Sequence, residues 1–129
     1  MIPGSRVGND HWRTPSWLMD VFQDWFDPCP NEDSVNGLNI EWGYRTYVNP
    51  PYSNPYPWVR KAIDESKKGK IIVLLLKHDS STEWYRLLHE NGAHFVAFIG
   101  RLRFSDSSNS PPFPSVLAIL SNGASGDHR

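Results

Sequence analysis

Residues 71–76 read Ile-Ile-Val-Leu-Leu-Leu, six consecutive apolar side chains between Lys70 and Lys77. A strand sends alternate side chains to opposite faces, so a run without a polar break has to be covered on both sides, as in a parallel sheet flanked by helices. Parallel neighbours are reached only through crossover connections, usually helical. The run is therefore expected near the middle of the sheet of an α/β domain.

The rest of the chain alternates helix and strand signals around this strand, with no repeats and no internal linker. Thr14 is placed to cap a helix with Pro15 at its first position, and Trp17, Leu18, Val21, Phe22 and Trp25 recur at helical spacing on one face. Residues 25–28 read as a short strand ending in Asp27, and residues 44–48 as the next. Pro57 opens a second helix through Val59, Ala62 and Ile63 to a stop at Lys67-Lys68-Gly69, where Lys67, Lys68 and Lys70 complement the helix dipole. Residues 80–83 fit a capping box, followed by a buried stripe of Trp84, Leu87 and Leu88 and a stop at Asn91-Gly92. Apolar runs at 95–99 and 116–120 give two more strands, for a sheet of five. One domain spans residues 1–129, with loose ends at about 1–9 and 121–129.

Immediately after the strand at 44–48 comes Asn49-Pro50-Pro51-Tyr52-Ser53. Its place is the carboxyl end of a strand, where open α/β sheets bind ligands. Two adjacent prolines fix φ and remove two backbone donors, leaving carbonyls that only accept. An amide side chain, a carbonyl and an aromatic face around one small space suit a planar amine. The lone pair of such an amine is delocalised into its ring, so it attacks poorly until preorganised acceptors hold its two hydrogens; the Asn49 side-chain oxygen and the Pro50 carbonyl are the candidates. Tyr52 would stack on an extruded base, a contact of roughly 1–3 kcal/mol. A proline-rich turn with a buried tyrosine is the structural alternative for a bare tetrapeptide.

The context of the tetrapeptide is an ordered series of motifs: Asp10-His11-Trp12-Arg13-Thr14-Pro15, Phe26-Asp27-Pro28-Cys29-Pro30, Asn36-Gly37-Leu38 with Glu41-Trp42, then Asn49-Pro50-Pro51-Tyr52-Ser53. Trp58-Val59-Arg60-Lys61-Ala62, Ser81-Thr82-Glu83-Trp84-Tyr85, Gly100-Arg101-Leu102-Arg103-Phe104 and Pro112-Phe113-Pro114-Ser115 follow. In order and spacing this series, over roughly residues 10–120, resembles the small, phage-type Dam-like family of DNA adenine-N6 methyltransferases. The resemblance implies a reduced Rossmann-like fold with a mixed sheet of about five strands, an antiparallel pair at its end and the second and third strands of the full fold missing. It implies S-adenosylmethionine as cofactor, double-stranded DNA as partner, and a flipped adenine whose N6 is oriented by Asn49, Pro50, Pro51 and Tyr52.

By the same resemblance Asp27 takes the acidic position after the first strand, and Trp12 and Thr14 supply amino-terminal contacts to the cofactor, with Asn49 between cofactor and base. Asp27 would meet the cofactor's ammonium, and Thr14 with nearby helix-start amides its carboxylate. A turn acid before proline and a purely structural cap are the alternatives for Asp27 and Thr14. The glycine-rich turn of full-length methyltransferases is absent, since Asp27 is followed by Pro28, Cys29 and Pro30. Asn31, Glu32 and Asp33 are loop acceptors near the expected ribose, or simply solvated. Asn36-Gly37 stands where an Asp-Gly pair is expected, and a turn requiring positive φ at Gly37 accounts for it. Lys77-His78-Asp79 ends the central strand on the same sheet edge as Asn49, as a site feature or as plain surface.

DNA contacts are expected from Arg101 and Arg103, which flank Leu102 and point the same way, and from Ser53 beside the tetrapeptide. Net charge is −1, from 13 basic and 14 acidic side chains, so no domain-wide field attracts nucleic acid and any basic surface is local. A homodimer would lengthen the footprint of so short a chain. Most of the 6 tryptophans, 5 tyrosines and 6 phenylalanines should be core, with two or three at most left for stacking on bases or cofactor. The 5 histidines show no metal-ligand spacing, so no metal is expected. The lone Cys29, the absence of a roughly 20-residue apolar span and the absence of a signal peptide fit a reducing cytoplasm without a membrane, and the resemblance implies a prokaryotic or viral/prophage-encoded protein. Two other readings stand beside DNA methylation: a methyltransferase acting on a protein glutamine amide or an RNA base, and a non-catalytic nucleic-acid-binding module that has kept the sheet.

Overall fold

The computed structural model describes residues 14–30, 35–98 and 114–122. The apolar run forms β2 (Ile71–Lys77), with five consecutive buried residues at its centre. β2 pairs in parallel with β1 (Arg45–Val48) on one side and antiparallel with β4 (Ser115–Leu120) on the other. β3 (His94–Ala97) closes the order β1-β2-β4-β3, antiparallel to β4. The interior position of β2 follows from its sequence, because only an inner strand has both faces and both edges to satisfy.

The parallel β1–β2 pair requires a crossover, supplied by α2 (Tyr56–Ser66). Pro57 lies in its first turn, and Gly69 takes φ of 95° just beyond its end, as the sequence indicates. Trp58, Val59, Ala62 and Ile63 of α2 meet Ile72, Leu74 and Leu76 on one face of the sheet, together with Leu88 of α3 (Glu83–Glu90). On the other face Val73 and Leu75 pack with Tyr47 and with Leu18 and Phe22, which belong to or follow α1 (Ser16–Val21). Helices therefore cover both faces of a four-stranded mixed sheet. Each fully buried β2 side chain contributes about 1.5–3 kcal/mol of transfer free energy, and the faces divide strictly by residue parity.

Five expectations need correction. Residues 25–28 make no full strand: Phe26 forms a single parallel bridge to Thr46, donating its N–H to the Arg45 carbonyl (2.9 Å) and accepting from the Tyr47 N–H (2.9 Å). The ladder stops there because Pro28 and Pro30 have no N–H and Asp27 turns the chain. Thr14 caps no helix; Pro15 is the N-cap of α1, and Trp17 (53 % exposed) and Val21 (62 %) point to solvent. A six-residue helix completes fewer than two turns, so Leu18 and Phe22, four apart, carry its contact with the sheet.

The cap of α3 is Thr82, whose Oγ1 accepts the Tyr85 N–H at 3.2 Å, in place of a capping box begun at Ser80. Its end is as read: Gly92 takes φ of 81°, the Ala93 N–H reaches the Leu88 carbonyl and the Gly92 N–H that of His89, a Schellman closure. Gly37 lies in a 3-10 turn (Val35–Asn39) and is not among the glycines with positive φ. Space is what it requires: a Cβ there would stand 2.1 Å from the Pro28 carbonyl oxygen.

The lysines after α2 do more than face a dipole. Glu65, 1 % exposed, is hydrogen-bonded by Lys70 and paired with Lys61 (3.0 Å) and Lys68 (3.3 Å). Lys70 also reaches Glu41 (2.6 Å) and the Trp42 carbonyl (2.6 Å), tying the approach to β1 to the approach to β2. Burial alone would raise the Glu65 pKa, but hydrogen bonds from Lys70, Lys61 and Lys68 win and bring it to about 2. This cluster holds the amino-terminal edge of the sheet, opposite the edge at which Asn49 leaves β1.

Candidate active site

The register Val48↔Leu74 places Asn49 one step beyond the carboxyl end of β1, on the sheet edge towards which β2 also runs. Along an extended chain Tyr47 and Asn49 project to the same side. Both are buried, Tyr47 at 1 % and Asn49 at 3 % exposure, and both meet Thr14. The Thr14 Oγ1 lies 2.7 Å from the Tyr47 hydroxyl and accepts a hydrogen bond from the Asn49 Nδ2 at 3.4 Å. The amide thus presents its Nδ2 end to Thr14.

Pro51 and Asn54 close a turn after the strand, the Asn54 N–H donating to the Pro51 carbonyl at 3.3 Å. Among the described residues the Pro50 carbonyl receives no such backbone bond. Pro55 then caps α2, fixing both ends of the loop on regular elements. Tyr52 is half-buried, with its hydroxyl buried beside Ser115 at the start of β4. Burial pushes that phenol above the usual tyrosine range, and the Ser115 hydroxyl pulls the other way.

Asp27 follows the Phe26 bridge and so reaches the same edge as Tyr47. Its Oδ1 accepts the Cys29 N–H at 3.0 Å, a side-chain turn of the kind aspartate makes before a change of direction. Tyr47 registers this neighbourhood: burial raises its pKa most, the hydrogen bond to Thr14 opposes, and Tyr52 and Asp27 add smaller upward contributions. Cys29 is buried, and its thiol is pushed up to about 12, first by burial and then by the Asp27 charge.

The structure thus brings together Thr14, Asp27, Asn49 and Tyr52, which the sequence singled out, Ser115, which it named only within a motif, and Tyr47, which it did not single out. Tyr47 was legible in principle from its i, i+2 relation to Asn49. Ser53 is exposed on the loop. Lys77 pairs with Asp79 (3.5 Å), and His78 stacks on Tyr85, which stacks on Phe95, so this part of the edge is organised within itself. Trp12, Arg101 and Arg103 lie outside the described residues, as do Asn31, Glu32 and Asp33.

A buried amide at a strand's carboxyl end, a Pro-Pro turn behind it and an acid from the adjacent chain segment form one cluster. Residues 29–115, which carry most of that cluster, match the sequence model of the DNA N-6-adenine-methyltransferase (Dam) family. The chain belongs to this family. It is 33 % identical over 105 residues to a DNA N-6-adenine-methyltransferase of Haemophilus phage HP1, covering 67 % of the present chain and 61 % of the relative. It is 38 % identical over 89 residues to a DNA N-6-adenine-methyltransferase of Escherichia phage T1, covering 67 % of the chain and 37 % of that relative. The chain therefore spans less than two thirds of the length of these Dam-family relatives. No solved structure matches it.

Proposed function

We propose that the chain carries the methyltransferase centre of a DNA adenine-N6 methyltransferase, acting on a flipped adenine in double-stranded DNA with S-adenosylmethionine as methyl donor. The observation that carries this reading is a buried asparagine amide at the mouth of β1, its Nδ2 donating to Thr14. Family membership and the names of the two phage relatives support the substrate.

The sheet supports a shortened Rossmann-like arrangement. The Phe26 bridge stands for its first strand, β1 and β2 follow in parallel, and the β3–β4 antiparallel pair ends it. Asp27 at the edge beside Asn49 fits a cationic amino acid moiety, so Asp27 and the segment carrying Trp12 and Thr14 are the residues that would hold the cofactor, with Asn49 at its reactive end. When bound, S-adenosylmethionine supplies an activated methyl group on a sulfonium.

The chain's own residues do the rest. Asn49 Oδ1 and the Pro50 carbonyl accept the two N6 hydrogens, which favours a pyramidal nitrogen with its lone pair directed outward. Both acceptors are held before the base arrives, Asn49 by Thr14 and Pro50 by the ring geometry and the Pro51–Asn54 turn, so little reorganisation accompanies charge development. Tyr52, anchored at its hydroxyl end beside Ser115, offers its ring to the base. Arg101, Arg103 and Ser53 serve the DNA strand, and a second copy of the chain would extend the footprint.

The reading is tested by offering methyl-labelled S-adenosylmethionine to unmethylated duplex DNA, RNA and a glutamine-containing peptide in parallel. Label in N6-methyladenine of duplex DNA is the expected result. Label confined to RNA or peptide would move the same site to another amine or amide, and cofactor binding without transfer to any of the three would contradict catalysis.

A further inference from the structure

We infer that Thr14 and Tyr47 are positioning residues whose paired hydroxyls set the orientation of the Asn49 amide. The inference rests on the proposed reaction and assigns residues to it that neither the tetrapeptide nor the family match singles out. An asparagine amide is close to symmetric in shape, and only its hydrogen-bond partners decide which end is oxygen. A threonine hydroxyl by itself does not decide, because it has one proton to give and lone pairs to offer. At 3.4 Å from Asn49 Nδ2 the Thr14 Oγ1 acts as acceptor, so the Thr14 proton has to be directed elsewhere.

Tyr47 keeps it elsewhere by accepting it: its hydroxyl lies 2.7 Å from Thr14 Oγ1, the shortest bond Thr14 is shown to make. The Thr14 side chain is thereby held by a shorter bond than the one it makes to Asn49, and in a site with 9 %, 1 % and 3 % exposure at Thr14, Tyr47 and Asn49 water is a poor substitute. Tyr47 is fixed in turn by the Phe22 ring stacked on it at 4.7 Å. The chain of support therefore runs from the α1 end through Phe22, Tyr47 and Thr14 to the amide, spanning 33 residues between Thr14 and Tyr47. Thr14 sits on the segment assigned to the cofactor, yet its hydroxyl is used for the base-holding residue.

Three variants test this: Thr14→Val removes the hydroxyl at constant shape, Thr14→Ser keeps it, and Tyr47→Phe removes only the phenol oxygen. Thr14→Val and Tyr47→Phe are expected to lower kcat about ten- to hundred-fold, the scale of a small misalignment of reacting groups. S-adenosylmethionine affinity and DNA KM should stay within about twofold in Tyr47→Phe, and Thr14→Ser should keep most of the rate. A second readout needs no substrate. Exchange of the Asn49 side-chain amide protons, followed by NMR in the full chain with and without S-adenosylmethionine, should speed up in Thr14→Val and Tyr47→Phe and not in Thr14→Ser.

Unchanged kcat and unchanged exchange in Thr14→Val would overturn the inference. So would a loss of rate in Tyr47→Phe matched by an equal loss of cofactor affinity, since Tyr47 lies outside the segment assigned to the cofactor. If the wild-type chain methylates no DNA, the proposed reaction fails, while the exchange measurement still decides whether the hydroxyl pair holds the amide.

Discussion

The Phe22 ring lies parallel to the Tyr47 ring, with centroids 4.7 Å apart and a 14° tilt, immediately after the short α1 helix. This stack joins α1 to β1 on the sheet face that carries Val73 and Leu75. Phe22→Ala would leave a cavity under Tyr47 and cost about 3–5 kcal/mol, read as a shift in the denaturation midpoint. Because Tyr47 holds Thr14, transfer should fall as well, measured at a temperature where the variant is folded. Full activity in folded Phe22→Ala would show that Tyr47 needs no such backing.

Glu65 supplies a pH dependence with a definite sign. Its folded pKa, about 2, lies below the ordinary 4.5, so its contribution is present above pH 4.5 and is lost as pH falls through the interval to about 2. Urea denaturation across pH 2–7 should show stability declining over that interval. In Glu65→Gln the part of the slope due to this group should vanish, and Lys70, 12 % exposed, loses its carboxylate partner. The expected cost at pH 7 is about 1–3 kcal/mol, at the lower end because the lysines still reach water. An unchanged pH slope in Glu65→Gln would mean that other carboxylates carry the acid sensitivity.

Gly37→Ala places a methyl group 2.1 Å from the Pro28 carbonyl and 3.0 Å from the Trp58 ring. A backbone carbonyl does not yield as a side-chain end does, so the Pro28 turn has to move, at a cost of about 1–3 kcal/mol or more. Asp27 and Cys29 flank Pro28, so S-adenosylmethionine affinity should drop with stability in this variant. Calorimetric titration of the folded fraction checks it. Wild-type affinity would separate the turn from the cofactor site.

Cys29 should behave as an inert thiol in the folded protein. With its pKa pushed up to about 12, the thiolate fraction at pH 8 is about 10⁻⁴, against about one tenth for a group at the ordinary 9.0. Burial blocks the reagent further. Alkylation should be slower by about three orders of magnitude in the native chain than in urea. Comparable rates would show that the turn after Asp27 opens readily.

The parts of the fold that the sequence makes legible are those where one physical requirement acts alone. The 71–76 run has no polar position, so it can only be an inner strand. Pro57, Gly69 and Gly92 mark helix ends because ring closure and positive φ leave little choice. Where two requirements compete, local reading fails. Residues 25–28 have the aromatic character of a strand, yet two prolines and an aspartate turn limit them to one bridge. Trp17 and Val21 follow the helical period, but α1 is too short for the whole stripe to meet the sheet.

The candidate site divides the same way. Asn49 is a candidate from its type and position, and Asp27 and Thr14 from the family resemblance, but the hydrogen-bond partners of Thr14 lie 33 and 35 positions away. Nothing in the local sequence of Thr14 distinguishes that pairing from a helix cap. Glu65 was hidden for a related reason. Three lysines near the end of a helix satisfy a dipole argument, and only the fold brings Lys61, Lys68 and Lys70 to the same carboxylate.

The central claim is that Asn49 holds the amine while Asp27 serves the cofactor, and parallel assays of Asn49→Ala and Asp27→Ala test it most directly. Each is scored for N6-methyladenine formed in duplex DNA and for S-adenosylmethionine affinity by calorimetry. Asn49→Ala should lose transfer by about 10²–10³-fold, the scale of removing one preorganised partner of developing charge, with affinity largely kept. Asp27→Ala should lose affinity. The reverse pattern, transfer surviving in Asn49→Ala or affinity collapsing there while Asp27→Ala binds normally, would contradict the assignment.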